Sequence, residues 1–473
     1  MSPPAHPGTI LIYSIHNSEA WWRAVGNAMG FEHAVLVSDL RGEGDHNLVD
    51  PFYNAYRRHY RSAATSSPLV PAEIVETAIA RCRLLRWLPR RRAIAMALAM
   101  AEACDAVLDA VKPRAVVSWP IDRYVMDMLE YRARARGIPY FEVTASAIAS
   151  MSMLLYRGRL ITTPDLPDAA TVTARVSEIA DPLFTPAYVQ RQQRYSAWRW
   201  LKTFSYFKLR GVAFWLISLL KRDPLNLHYM DAQSFLGHKP RLGDLRILRL
   251  LDADWQTKIA AYPKEKRLFL ALQLFPEASI DYWIDDLDLV DHENMLVETA
   301  QVFSAAGYCV IVKDHPLQFG FRQCALIDRL KALPGVVMVP YEVSGNALLA
   351  QAGVTFTCTG TLGMQAALLG LKAITTETYF TTPDDFIFVR TRSDIADLPA
   401  RVEATPPVTD LPARQRRIIT HLLQGSFAGE FMSFKGYRAD SADPRVPALG
   451  NSLGERIAAL LGAGEVAMKQ GEG

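Results

Sequence analysis

Short apolar runs alternate with helix-length amphipathic stretches along most of this chain. Near the start, TILIYSIH (Thr9 to His16) is such a run, followed by a helical stretch and then by HAVLVSDLRGEGDH. AVVSWPIDR and GIPYFEVTAS come later, beyond a long helical insertion over about Pro71 to Val111. β-rich runs bounded by polar loops and separated by helix-length segments predict βα units on a parallel sheet. From about Thr162 to Asp254 the pattern changes to many aromatic and basic residues with few strand signals, which reads as mostly helical. The alternation then resumes with RLFLALQLF, a helix around Asn294 to Gly307, YCVIVKDHP, a helix near Cys324 to Leu333, GVVMVP, GVTFTCTGT, the helix LGMQAALLG and KAITTETYF. At least five parallel strands with short connections predict a second Rossmann-like domain. The tail NSLGERIAALLGAG has helical spacing and is expected to pack back on the first domain.

The expected organisation is therefore α/β. A first Rossmann-like domain spans 8–160 and a mainly helical linking segment 161–254. A second Rossmann-like domain spans 255–425, and a tail with a helix spans 426–473. Two such domains facing each other make a cleft. At 473 residues, half of them hydrophobic, the chain is long enough for two or three cores. A net charge of +3 gives no argument for nucleic acid. The five cysteines have no metal or redox spacing and read as buried reduced thiols. No secretory signal is read at the start. GVAFWLISLL, the longest apolar stretch considered for a membrane, is half the ~20 residues a span needs. The expectation is a cytoplasmic chain, or one peripheral at the inner face of the cytoplasmic membrane.

In open α/β sheets ligands bind beyond the carboxyl ends of the strands, so the strand ends carry the chemistry. In VIVKDHPLQF the strand stops near Val312. Lys313 and His315 then share one side of an extended segment, Asp314 faces the other, and Pro316 fixes the backbone. A cation and an imidazole together suit an anion; a surface turn capped by histidine is the alternative. In TFTCTGTLGMQAALLG, Thr359, Gly360 and Thr361 end a strand and Gly363 opens a helix. Hydroxyls and first-turn N–H groups there form a phosphate cradle, aided by the helix dipole. Thr361 acting as a helix cap is the plainer reading. A third strand end, LQLFPEASIDYW, offers Pro276, Glu277 and Ser279.

The stretch from about Arg267 to Thr382 resembles the capsular polysaccharide synthesis family, which includes the bacterial Kdo transferases. The likeness lies in the K-x-HP strand end, the PE-x-S loop and the TGT-x-G-x-x-A-x-x-x-G segment. It implies a GT-B glycosyltransferase whose second domain binds a nucleotide sugar and whose first binds a glycan or glycolipid acceptor. CMP-Kdo is the leading donor, and the product is a capsule or other surface polysaccharide. His315 would contact the donor phosphate, with Thr359 and Thr361 beside it. Gln365 stands where relatives often carry Glu, and would hold a ribose as a neutral amide. Lys313, Gly360, Gly363, Glu277 and Ser279 complete the expected donor site. Three rivals remain: a sugar-nucleotide epimerase, a polyol-phosphate transferase of related fold, and a non-catalytic capsule assembly subunit.

Glycosyl transfer also needs a carboxylate near the reacting centre. Asp39 and Asp45, around the Gly42-x-Gly44 loop with Glu43 and His46, are the first candidates; Asp122, beside Arg123, is the next, and His16 and Glu19 lie on another strand end. Asp122 as a helix cap is its plainer reading. No metal site and no cofactor are expected; Asp285, Asp286 and Asp288 read as surface charges. Two basic stretches bear on partners. RCRLLRWLPRRR is either a solvated face or a contact for an anionic neighbour. WRWLKTFSYFKLRGVAFWLISLLKR, ending in Lys221 and Arg222, is either a buried aromatic helix or a helix at an inner-membrane surface. No nucleic-acid module appears, so nucleic acid is not an expected partner.

Overall fold

The computed structural model describes residues 6–15, 18–184, 195–220, 224–225, 241–274, 277–431 and 443–462. His16, Pro276, Lys221 and Arg222 lie outside them. The chain forms two compact units. The first comprises residues 1–165, 222–231 and 422–473, the second residues 166–221 and 232–421. The 161–254 stretch is thus shared between them. Its longer described elements are the helices Ala169–Ile179 and Ala197–Leu220.

The first unit is built on β1 (His6–Ser14), β2 (Phe31–Ser38), β3 (His46–Asn47), β4 (Ala115–Ser118), β5 (Tyr140–Ala145), β6 (Met151–Tyr156) and β7 (Arg159–Leu160). β3, β2, β1, β4 and β5 lie side by side in that order, all parallel. β6 turns back antiparallel against β5, which a pure βα reading does not anticipate. β1 is buried on both faces, with Ile10, Leu11, Ile12 and Tyr13 all inaccessible. Burial on both faces explains why the strand reads as an unbroken apolar run rather than an alternating one.

The predicted helical insertion is present as Ala72–Arg81, Arg83–Trp87 and Arg90–Val111. Its arginines are largely engaged by the protein itself. Arg90 pairs with Glu76 at 2.5 Å, Arg91 donates to the Tyr60 carbonyl at 2.6 Å, and Arg83 donates to the Asp122 carbonyl at 2.9 Å.

The second unit is a six-stranded sheet of β8 (Arg267–Ala271), β9 (Cys309–Lys313), β10 (Val336–Met338), β11 (Val354–Phe356), β12 (Lys372–Thr375) and β13 (Ile387–Phe388). Every pairing is parallel and the order is β10-β9-β8-β11-β12-β13. In order of occurrence this is 3-2-1-4-5-6, the doubly wound Rossmann arrangement. The fold class is therefore α/β with two parallel-sheet, Rossmann-like units. All five cysteines are buried and none is in a disulfide.

The chain ends inside the first unit. β14 (Ser426–Ala428) adds antiparallel to β6. The helix Arg445–Gly462 packs on the helix Glu19–Ala28. Val446, Leu449, Leu453 and Ile457 join Trp21, Trp22 and Phe431 in one core. The two helices touch through glycine. A Cβ on Gly454 would stand 1.9 Å from the Met29 carbonyl, and one on Gly450 would stand 2.5 Å from that of Val25. Gly454→Val is expected to destabilise the first unit by about 1–3 kcal/mol or more in urea unfolding. Gly462→Ala, with nothing within 4 Å of the added carbon, is the neutral control. Equal midpoints for the two variants would contradict this packing.

Candidate functional site

β8 and β11 are neighbours in the second sheet, but the chain leaves them toward opposite edges. The crevice at their carboxyl ends is the switch point where such sheets take ligands. Three strand ends bear on it: Gln273 and Glu277 to Ser279 after β8, Lys313 to His315 after β9, and Thr357 to Thr361 after β11.

The Lys313-Asp314-His315 edge is organised by its middle residue. Asp314 is buried and forms an ion pair with Arg322 at 2.9 Å, with both side chains only 2% exposed. Its Oδ1 also accepts from the His315 backbone N–H at 2.8 Å, and its Oδ2 accepts from the Tyr341 hydroxyl at 2.5 Å. Arg322 in turn donates to the Gln273 carbonyl at 2.7 Å. From there the Gln273 side chain crosses to β11. Its Oε1 accepts from the N–H groups of Cys358 (2.9 Å) and Thr359 (3.1 Å), and its Nε2 donates to the Thr359 hydroxyl at 2.9 Å. Thr359 passes its own proton to Ser279 at 2.9 Å. One hydrogen-bonded chain from Tyr341 to Ser279 thus joins the three strand ends. Gln273, Arg322 and Tyr341 were not anticipated from sequence.

With Asp314 turned inward, the alternation of an extended segment sends its neighbours elsewhere. Lys313 is 7% exposed, and its Nζ donates to the carbonyls of Asp314 (3.4 Å) and Tyr341 (3.3 Å) and lies over the Tyr341 ring at 5.9 Å. Burial pulls its pKa down to about 8, against the opposing pull of Asp314 and Glu342. His315 caps the short turn Pro316–Gln318, its Nδ1 accepting from the Leu317 N–H at 3.2 Å. Burial, with Arg322 and Lys313 adding to it and Asp314 opposing, lowers its pKa to about 4. The ring is therefore neutral at pH 7 and, with Nδ1 accepting, carries its proton on Nε2. The capping-turn reading therefore holds for Nδ1. Below the ordinary imidazole pKa the unfolded chain binds this proton and the folded one does not. The stability His315 contributes is lost as pH falls from about 6.5 toward 4.

After β11, Gly360 caps the helix Thr361–Leu368, so Thr361 is its first residue rather than its cap. The glycines have a reason apart from ligand approach. A Cβ on Gly360 would meet the Thr357 hydroxyl at 2.6 Å, and one on Gly363 would meet the Thr357 methyl at 2.9 Å. The Gly360 N–H is already bonded to that hydroxyl at 3.2 Å. With the Thr359 N–H on Gln273, the cradle narrows to the first-turn amides of Thr361 and Leu362. Thr361 is half-buried.

Gln365 is buried, and its Nε2 donates to the Phe184 carbonyl at 2.9 Å, which Asn346 also engages at 3.1 Å. This contact explains an amide here: a carboxylate would face a carbonyl oxygen with no proton between them. Glu277 is the half-buried residue before the helix Ala278–Trp283, and its side chain makes no capping bond. Asp286 caps the next helix by accepting from the Asp288 N–H. Among the described residues, no group of His, Cys, Asp and Glu is arranged to hold a metal ion.

In the first unit the three candidate carboxylates separate. Asp39 follows β2, is 5% exposed and lies 4.0 Å from Arg123. Asp122 holds Arg123 at 2.8 Å and does not cap the helix that begins at Tyr124. Burial and Asp39 together push the Tyr13 phenol well above its usual pKa, placing that ring beside them. Asp45 instead accepts from the Leu36 N–H at 2.9 Å and pairs with Arg23 at 3.1 Å. Burial opposes its ionisation, but these partners outweigh it and its pKa falls. The glycine loop is tied to its neighbours. The Asn47 amide ties it to the carbonyls of Leu40 and Glu43, and Asp45 closes it onto β2.

No family model matches the chain, and no curated protein matches it. Solved structures do align. The beta Kdo 2,7 transferase of Thermosulfurimonas dismutans KpsC covers 97% of this chain and 100% of its own, at 9% identity and a TM-score of 0.35. The beta Kdo 2,4 transferase of the same KpsC covers 67% and 82%, at 12% identity and 0.32. A putative UDP-N-acetylglucosamine 2-epimerase from Listeria monocytogenes covers 97% and 96%, at 8% identity and 0.29. Likenesses at these scores carry no argument, and the fold rests on the strand order itself.

Two outcomes follow. Lys313→Met removes a buried cation, so the unliganded variant is expected to melt above wild type at pH 7. The gap should narrow between about pH 8 and 10.5, where the folded wild-type lysine has already lost its proton and the unfolded one has not. A variant no more stable than wild type would mean the ammonium is well solvated. Gln365→Glu should destabilise the second unit by about 1–3 kcal/mol, through loss of the bond to Phe184. Gln365→Met should cost less in the same unfolding assay.

Proposed function

We propose that the chain is a glycosyltransferase whose second unit holds a nucleotide-activated sugar by its phosphate. The observation that carries this reading is the pairing at β9's end of a buried Lys313 and a neutral His315 with its proton on Nε2. Beside the switch point, the helix opening at Thr361 adds first-turn N–H groups, and Ser279 adds a hydroxyl whose own proton is not engaged among the described residues. An uncharged donor, a desolvated cation and a helix N-terminus suit a phosphate and suit no apolar ligand. The motif resemblance favours Kdo from CMP-Kdo, moved onto a growing capsule or other surface polysaccharide.

In the transfer, an acceptor hydroxyl oxygen bonds to the anomeric carbon while the bond from that carbon to the phosphate oxygen breaks. The leaving phosphate takes the electron pair, and His315 and Lys313 stabilise it. The hydroxyl proton passes to a carboxylate. Among the first unit's candidate carboxylates, Asp45 closes its own loop, and Asp39 and Asp122 both lie against Arg123.

The test is a thermal-shift panel of CMP, CDP, UDP and GDP on wild type and His315→Ala. A nucleotide at about 100 times its dissociation constant should stabilise wild type by roughly 2.7 kcal/mol. His315→Ala should keep its unliganded midpoint within a few degrees and lose roughly 10- to 150-fold in affinity. Equal nucleotide affinity in the two proteins would remove the phosphate reading. Turnover of a nucleotide sugar to its epimer without any acceptor would make the enzyme an epimerase instead.

A further inference from the structure

The helix Ala197–Leu220 is anchored by one side and leaves the other bare. Trp200 is fully buried and packs on Phe204 at 5.2 Å, while Phe207 meets Phe321 at 4.3 Å. Gly211 and Ser218 continue that buried line. On the opposite side, Trp198, Leu209, Val212, Leu216 and Leu220 recur at helical spacing. They are exposed by 77%, 70%, 56%, 48% and 82%. Tyr206, Trp215 and Leu219 flank the stripe and are also half or more exposed. Single exposed apolar residues need no explanation, but a continuous stripe of this length marks an interaction surface.

Charge selects the partner. The helix carries Arg199, Lys202, Lys208 and Arg210 and no acidic residue, and all four cations precede Gly211. Arg199 lies over Tyr195 at 4.5 Å, Lys208 over Phe204 at 5.4 Å, and Arg210 over Phe214 at 4.9 Å. Their stems therefore run along aromatic surface while their charges stay outward. The second half, GVAFWLISLL, has no charge at all. A leucine and tryptophan stripe with a basic collar fits an anionic bilayer surface, with apolar side chains among the acyl chains and cations among the headgroups. A second copy of the same helix would bring cations against cations. The helix is not long and apolar enough to cross a membrane, so the contact would lie along the interface.

We propose that the exposed side of this helix docks the protein on an anionic lipid bilayer. The inference does not depend on the donor reading, and its test uses no nucleotide. Full-length protein would be sedimented with vesicles of phosphatidylcholine alone and of phosphatidylcholine with phosphatidylglycerol, at low and high salt, with soluble glycerophosphate as competitor. Wild type should bind only the anionic vesicles, leave them at high salt, and ignore glycerophosphate. Reversing Lys202, Lys208 and Arg210 to Glu should lower partitioning by at least about a hundredfold. Replacing Leu209, Leu216 and Leu220 with Ser should also release the protein, with an unchanged unfolding midpoint because these side chains are exposed. Absence of binding to anionic vesicles would overturn the proposal. So would a wild-type dimer in solution that the serine variant dissolves, which would give the stripe to a second copy. Competition by glycerophosphate would reduce it to a free-anion site.

Discussion

The ion pair between Asp314 and Arg322 is the constraint on which the second unit's strand-end edge depends. Taking both charges out of water carries a large desolvation cost, and Coulomb attraction offsets it only when the remaining hydrogen-bonding positions are also filled. They are filled here. Asp314 receives the His315 N–H, two guanidinium nitrogens and the Tyr341 hydroxyl, and Arg322 has the Gln273 carbonyl as well. Such a pair is weak evidence for extra stability and strong evidence for a fixed geometry. It ties the end of β9 to the end of β8, and Gln273 extends the tie to β11. The edge is thereby assembled before any ligand arrives, which is what a site needs if binding is not to be offset by ordering.

The same arrangement separates what is engaged from what is available. The Asp314 carboxylate and the guanidinium answer each other, as do Gln273 and the Thr359 hydroxyl. Lys313 is buried against two carbonyls and the Tyr341 ring, with no carboxylate paired to it among the described residues. His315 uses one nitrogen for a turn and keeps the other. A negative charge placed beside either group would raise its lowered pKa.

Much of this was legible in the sequence, and the part that was not has identifiable causes. Parallel strands buried on both faces leave unbroken apolar runs, so β1, β8 and β9 were visible, as was the polar tetrad that stops β9. The antiparallel return of β6 was not, because direction leaves no trace in hydrophobic period. Gln273 was missed because it sits inside LQLF and reads as an interruption of an apolar run. Arg322 and Tyr341 were missed because their role depends on meeting Asp314 in space. Gly360 and Gly363 were rightly singled out for a different reason: the surface they must clear is Thr357. Asp39, Asp45 and Asp122 looked alike until their neighbours were in view, since a carboxylate that closes a loop and one that lies beside a strand end differ only in what surrounds them.

The two units use one device with opposite consequences. Each places an arginine among carboxylates at the carboxyl ends of a parallel sheet. In the first unit Arg123 lies against both Asp39 and Asp122, so the cation is committed. In the second unit Asp314 is committed to Arg322, and Lys313 stands outside that pair. Field follows from this difference in commitment. The second edge keeps a buried ammonium beside an imidazole, whereas the first keeps a buried guanidinium between two carboxylates.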